Sequence, residues 1–406
     1  MTLPLEGMRV LDLTIWQQGT YASAVLADLG ADVIKVEERV HGDPGRGAWI
    51  DPRSGLSSYF EAHNRGKRAI ALDLKHPLGR DVFMRLVQDA DVFLNNFRIK
   101  AIERLGLDYN SVSAVNPRIV YVQASGFGPE GPDADAGAFD YLAQARSGFA
   151  SQNGEGDDPP IPTMVPIADQ TGALHACIAA LAGLASRERT GRGMKLDTSL
   201  LGSMISLQSF DIATHLFSGR LRPRPMRGGS RPFWRIYQAG DGKWFVIGML
   251  LDRAWEAVCA CVGRPELIDD PRFDTFARRM GENAPALIEI LDACFQTASA
   301  REWVDRLNAV GLFAAPIQDY AELAQDPQVV ANRYIAEVPR SDAPNGPSRS
   351  VRIPSSGIIV DGEPAVPRRL APQHGEHTEE VLVEAGYSWE EISALRQAGV
   401  VGPSAP

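Results

Sequence analysis

Apolar positions in the first third of the chain switch between two periods. Residues 8–14 form a β-rich apolar run. Residues 20–29 repeat their apolar positions with helical spacing and stop at Gly30, and residues 32–37 are again short and apolar. A strand, a helix and a strand within so few residues make a βαβ unit. The same rhythm predicts a strand over 67–74, a helix over 77–90 opened by Pro77, a strand over 91–97, a short helix over 109–115 and a strand over 118–125. Alternation of this kind specifies a parallel sheet with helices on both faces.

Beyond Ser125 the texture changes to a turn-rich loop. Helices are predicted over 140–148, 171–187 and 200–218, with a strand over 194–198. Residues 219–232, rich in Arg, Pro and Gly, read as a domain crossing. A hairpin over 234–239 and 243–248, turning at Gly240-Asp-Gly242, and helices over 252–262, 283–297 and 300–310 then outline a smaller α+β domain. Residues 339–372 hold seven prolines in 34 positions, too many for a packed helix, and read as an extended return strap. Two short helices, 377–385 and 389–398, close the chain. The expected domains are therefore 1–218, 219–338 and 339–406.

Composition narrows the class of function. Of 406 residues, 44% are hydrophobic and 23% charged, as in ordinary globular proteins. The 41 Lys and Arg against 51 Asp and Glu leave a net charge of −10, which argues against nucleic acid or an anionic membrane as partner. Four cysteines without a CxxC pair make no disulfide framework and favour a reducing, cytoplasmic setting. The N-terminus lacks the apolar core of a signal peptide, and the apolar run over 173–185 is interrupted by His175, so no membrane insertion is expected.

The chemistry-bearing motifs are few. Gly126-Phe-Gly128-Pro-Glu-Gly131 satisfies G-x-G-x-x-G, but it follows a late strand and runs on through Pro129 and Pro132 instead of opening a helix, so a tight loop is the expectation. His374-Gly-Glu-His377 lacks a further ligand at a standard zinc spacing, and there is no G-x-S-x-G elbow. The remaining candidate is Asp169-Gln-Thr-Gly172. Locally, Asp169 or Thr171 would serve as a helix N-cap. Alternatively, an aspartate of ordinary pKa is ionised at neutral pH and can attack an acyl carbon without a histidine base, with Gly172 and the helix start offering N–H groups to an oxyanion.

Several stretches together resemble the class III coenzyme A transferases. They include Leu5-Glu-Gly-Met-Arg-Val-Leu-Asp-Leu-Thr14, Gly30-Ala-Asp-Val-Ile-Lys-Val-Glu37 with Gly42-Asp43, and Asn64-Arg-Gly-Lys67 leading to Leu74. Asn95-Asn-Phe-Arg98, the Ser125–Pro132 loop, Asp169-Gln-Thr-Gly172, Thr190-Gly-Arg-Gly193 and Gly375-Glu-His-Thr378 follow in the family's order. The resemblance implies an α/β fold: a Rossmann-like large domain built from both chain ends, a smaller α+β domain, and two protomers interlocked ring through ring as a homodimer. It implies CoA transfer from an acyl-CoA donor to a carboxylic acid acceptor, with no permanently bound cofactor or metal. Asp169 matches the nucleophile that carries an aspartyl mixed anhydride and then an aspartyl-CoA thioester. CoA-site positions match at Gln17 and Gln18, at Leu72, Asp73, Leu74 and Lys75, at Asn96, Phe97 and Arg98, at Arg104, and at Gly137, Ala138 and Phe139. Gly228, Gly229 and Ser230 match a glycine loop over the acyl site.

Three departures qualify the resemblance. Glu38 stands where the family often has an arginine, Ile99-Lys100 replaces the common Pro-Gly after Arg98, and Arg227 and Ser230 thin the glycine loop. The related α-methylacyl-CoA racemases use a histidine where this chain has Phe139, which cannot shuttle a proton. A non-catalytic CoA-binding protein is the other alternative, against which the retained Asp169 motif argues. The acceptor is left open: Arg222, Arg224, Arg227, Arg231 and Arg235 suit a carboxylate, whereas Trp16, Trp49, Tyr59 and Trp234 suit an apolar or aromatic acyl group.

Overall fold

The computed structural model describes residues 2–221, 223–224, 231–248, 254–340 and 350–402. Contacts divide the chain into two compact units, one of residues 1–150, 162–220 and 327–406, the other of residues 151–161 and 221–326.

The first unit is built on six parallel strands: β1 (Arg9–Leu13), β2 (Asp32–Glu38), β3 (Arg68–Leu72), β4 (Val92–Asn95), β5 (Val120–Ser125) and β6 (Met194–Ser199). Their order is β3-β2-β1-β4-β5-β6, the doubly wound arrangement. Its helices are α1 (Gln18–Asp28), α2 (Ser58–Asn64), α3 (Pro77–Gln88), α4 (Ile99–Leu105), α5 (Tyr109–Val115), α6 (Asp140–Arg146), α8 (Ile167–Thr190), α9 (Leu200–Leu207) and α10 (Ser209–Ser218), with the single turn α7 (Phe149–Gln152) at the boundary between units.

Successive strand residues point to opposite faces, and the core divides accordingly. Leu11, Ile34, Phe93 and Tyr121 pack against α3, α5 and the C-terminal helices, while Val10, Val33, Val92, Leu94 and Val122 pack against α1 and α8. Both faces are apolar because both are covered, which is why these strands read as nearly continuous hydrophobic runs. Each such buried side chain contributes about 1.5–3 kcal/mol. The open edge at β3 is closed by the tail: Ala69 O and Ala71 O accept from the His377 and Gly402 amides at 2.9 and 3.0 Å.

The second unit carries an antiparallel sheet of β7 (Trp234–Gln238), β8 (Trp244–Gly248) and β9 (Ala314–Pro316). Helices α11 (Trp255–Cys261), α12 (Phe276–Met280), α13 (Ala284–Phe295), α14 (Ala300–Ala309) and α15 (Tyr320–Leu323) surround it. Its core is aromatic, with Phe295 edge-on to Tyr237, Phe245 and Trp303 at ring distances of 4.7–5.1 Å. Residues from 327 onward return to the first unit through α16 (Pro327–Ala331), the antiparallel pairs β10 (Ile335–Pro339) with β11 (Ser350–Pro354) and β12 (Ile359–Val360) with β13 (Glu363–Pro364), and then α17 (Thr378–Glu384) and α18 (Trp389–Gln397).

Four differences from the sequence reading have local causes. The helix expected from residue 171 begins at Ile167, because its first turn is capped by a side chain from elsewhere. The helix expected over 200–218 breaks at Gln208, the C-cap of α9 and the N-cap of α10. The proline-rich strap pairs into two short ribbons. α2 was not expected; Ser57 caps it by accepting from the Phe60 amide at 3.0 Å.

Candidate active site

In an open α/β sheet ligands bind where the strand order reverses, here outside the carboxyl ends of β1 and β4. The loops leaving those strands are tied together: Asn96 accepts from the Ile15 amide at 3.0 Å and donates to the Ile15 carbonyl at 2.8 Å. Trp16, next in the loop, has φ of +62°, a left-handed conformation that costs a tryptophan about 1–2 kcal/mol. Asp43 holds it by accepting from the Trp16 amide at 3.3 Å, and the Thr20 hydroxyl donates to the Trp16 carbonyl.

Beneath this loop lies a buried charge lattice. Lys35 Nζ donates to Thr14 O and to Asp43 Oδ2, each at 2.8 Å. Lys67 Nζ donates to Asp12 Oδ2 and Asn64 Oδ1 at 2.8 Å and to Thr20 O at 2.9 Å. Both lysines are fully buried. The Lys-Val-Glu, Gly-Asp and Asn-Arg-Gly-Lys motifs therefore hold the loop from below.

Asp169 lies at the third position of α8 and does not cap it. The N-cap is Pro166, and Asp140 at the start of α6 takes the capping role, its Oδ1 accepting from the Ala168 and Asp169 amides at 2.7 and 3.0 Å. The Ile167 and Gln170 amides bond to Val165 O and Pro166 O at 2.7 and 3.0 Å. Every first-turn N–H of α8 is thus used, and Gly172 sits in the second turn within the helix ladder. The expectation that Gly172 and this helix start serve a developing oxyanion is corrected. Gly172 instead permits close packing: a Cβ there would come within 3.0–3.1 Å of Leu200 and the Gln18 side chain.

The Asp169 carboxyl is half-buried, and its pKa is raised to about 7, first by burial and second by the nearby charge of Asp140. It is not the fully ionised carboxylate that an ordinary pKa implies at neutral pH. Facing it electrostatically is Tyr59, whose phenol is pushed above its usual range by burial and by the charges of Asp169 and Asp43, so it stays a donor. Tyr59 stacks on Trp49 at 5.4 Å and meets Trp16 edge-on at 6.4 Å, forming an aromatic wall. Gln17 Nε2 donates to Gln170 Oε1 at 3.0 Å, beside Asp169 in sequence, and Gln18 Nε2 donates to Ser125 O at 3.3 Å.

Arg98 lies across Gly137 so closely that a Cβ there would sit 2.5 Å from its guanidinium. Ala138 fills the space left by Gly126, where a Cβ would fall 2.3 Å from its own, and Phe139 is the exposed N-cap of α6. Leu74, Lys75, Phe97 and Arg104 line one cavity of about 520 Å³ together with His76, Pro77, Arg80, Ala101 and Leu105. Leu72 and Asp73 are not in its lining: Leu72 is buried beside Val401, and the Asp73 amide bonds to Val400 O. Arg80 and His76 were not singled out from sequence; their one signal was proximity to Lys75. Gly228, Gly229, Ser230, Arg222 and Arg227 lie outside the described residues. Arg224 donates to Asn153 O at 3.2 Å, and Arg235 approaches Asp292 at 4.0 Å and the Tyr237 ring at 5.1 Å.

Other motifs resolve into structure. Gly126–Gly131 stays a loop, without the helix a dinucleotide turn requires. His374 Nε2 lies 2.9 Å from Glu38 O, and His377 Nδ1 accepts from the Ala69 amide at 3.3 Å, so both histidines brace the tail. Among the described residues no three or more His, Cys, Asp or Glu are grouped to hold a metal ion. One described helix, α8, is long and apolar enough to cross a bilayer by length and composition; here half of it is buried, against α1, β5 and β6.

Comparisons with known proteins agree with this architecture. The family model described as CoA-transferase family III matches residues 5–378. The chain is 33% identical to a formyl-CoA:oxalate CoA-transferase of Streptomyces coelicolor, covering 98% of this chain and 99% of that one. It is also 33% identical to a succinate–glutarate CoA-transferase of Agrobacterium fabrum, covering 94% and 95%. A CAIB/BAIF family protein from Brucella suis superposes with a TM-score of 0.83 at 30% identity, over 95% of this chain and all of that one. By the family model and by these relatives, the chain belongs to CoA-transferase family III and is, by class, a CoA-transferase.

Proposed function

We propose that the protein moves CoA from an acyl-CoA to a carboxylic acid through covalent intermediates on Asp169. The observation that carries this reading is the release of Asp169 from capping: Asp140 does that work, and the Asp169 carboxyl is left within electrostatic reach of Tyr59, next in sequence to Gln170, to which Gln17 donates.

In the first step an Asp169 oxygen attacks the thioester carbon, the C–S bond breaks, and CoA leaves as thiolate, giving a mixed anhydride. The thiolate then attacks the aspartyl carbon, expelling the donor acid as carboxylate and leaving an aspartyl-CoA thioester. The acceptor carboxylate attacks that same carbon and displaces the thiolate again. Attack of the thiolate on the acceptor's acyl carbon releases the new acyl-CoA and restores the Asp169 carboxylate. Every bond broken is matched by one formed, and no oxidant, reductant or net proton is required.

CoA is placed with its thioester at Asp169, its pantetheine arm over 137–139 and Arg98, and its nucleotide in the cavity between α3 and α4. Its phosphates suit the guanidinium and ammonium groups there. The donor and acceptor are read as short carboxylic acids, including dicarboxylic ones, in keeping with the oxalate and succinate–glutarate enzymes to which the chain is similar. The working form is a homodimer with interlocked protomers. Supporting this, α8, α9 and α10 leave Ile178, Ile205, Phe210, Leu216 and Phe217 exposed in the single chain. A matrix of formyl-, acetyl-, succinyl- and glutaryl-CoA against short mono- and dicarboxylates, read by chromatography of acyl-CoA products, tests the reading. At least one pair should give a new acyl-CoA with the parent and none with Asp169→Ala; no transfer in any pair contradicts it.

A further inference from the structure

The lining of the cavity between α3 and α4 includes a cation that the sequence did not single out. Arg80, in the first turn of α3, lines it together with Arg104 of α4 and Lys75. None of these three side chains has an ion pair or a hydrogen bond among the described residues. Three cations unpaired among the described residues, around one cavity lined also by Leu74, Phe97, Ala101 and Leu105, match a ligand with a flat apolar ring and several phosphate charges.

The geometry also orders the phosphates. Asp169 is bonded through its amide to Asp140, which directly follows 137–139, and Gly137 lies under Arg98 at the start of α4. Arg80 lies at the other end of α4, where a Cβ on its C-cap Gly106 would come 3.0 Å from the Arg80 guanidinium. Seven helical residues, about 10 Å, separate the two ends of α4 at which these arginines lie. A thioester whose acyl end is at Asp169 therefore reaches Arg98 with its arm and diphosphate, and meets Arg80 only with its far, ribose end. The carbonyl end of α4 by itself repels an anion, and the Arg80 guanidinium beside it reverses the local field.

Resting on the CoA-transferase reading, we propose that Arg80 binds the ribose 3′-phosphate and so makes the protein selective for CoA over 3′-dephospho-CoA.

Calorimetric titration of the full-length protein with CoA and with 3′-dephospho-CoA tests this. The parent should bind CoA more tightly, and Arg80→Ala should weaken CoA about tenfold or more while leaving 3′-dephospho-CoA unchanged. Arg80→Lys, which keeps the charge, should retain part of the preference. A purely structural Arg80 would instead lower the melting temperature and weaken both ligands alike, which overturns the inference. An Arg80→Ala protein with the parent's preference overturns it too, while the transferase reading stands. If the parent binds neither ligand, that reading fails as well.

Discussion

Asp169 illustrates how a single residue changes meaning between sequence and structure. In sequence it is an aspartate at the start of a helix, and capping is the ordinary use of that position. In the folded chain Asp140 caps α8, so Asp169 keeps its carboxyl free but acquires a pKa of about 7 from burial and from the Asp140 charge. If the ionised form is the nucleophile, kcat/KM for the acyl-CoA rises with pH and levels off above about 7. Asp140→Asn retains an oxygen to accept from the two amides and removes the like charge, so the midpoint of that rise should move to lower pH. A profile with an unmoved midpoint would discount the electrostatic coupling. The same shift has a stability consequence of opposite sense. A carboxyl ionising near 3.8 when unfolded and near 7 when folded destabilises the fold increasingly as pH climbs through that interval, then constantly above it. Asp169→Asn escapes this cost. Its melting temperature should exceed the parent's at pH 8 and match it near pH 4.

Among elements, the β1–α1 loop shows what sequence motifs conceal. Lys35, Asp43 and Lys67 look like surface charges in the chain, yet the two lysines are fully buried and hold the Thr14 carbonyl of the loop and the Thr20 carbonyl of α1. Removing one partner of such a buried pair strands the other. Lys67→Met should therefore cost about 3–5 kcal/mol by leaving Asp12 uncompensated, measured by denaturant unfolding. The double variant Lys67→Met with Asp12→Leu should recover most of it; failure to recover would mean that the lattice is not the origin of the loss. The strands and longer helices were legible because β-rich runs ended by Gly or Pro and helical periods are local signals. Two features were not: the Asp140 cap, which acts on a distant stretch of chain, and Arg80, which is an unremarkable polar position of a helix until α4 folds beside it.

For the whole molecule, the alternation of strands and helices foretold a parallel doubly wound sheet, and the order β3-β2-β1-β4-β5-β6 locates its crevice. What a single sequence lacks is the pairing of distant segments: residues 151–161 join the second unit, and the tail closes the β3 edge. The exposed apolar residues of α8, α9 and α10 bear on assembly. Light scattering after size exclusion should give twice the mass of one chain and should not fall on dilution without unfolding, since interlocked protomers cannot part while folded; a single-chain mass would contradict the homodimer. The central claim, covalent transfer through Asp169, is tested most directly by peptide mass spectrometry. The protein is incubated with an acyl-CoA that it turns over, quenched, and trapped with hydroxylamine. A hydroxamate on Asp169, absent from Asp169→Ala, is the predicted result. An unmodified Asp169 in a protein that is turning over substrate, or undiminished transfer by Asp169→Ala, would contradict the account.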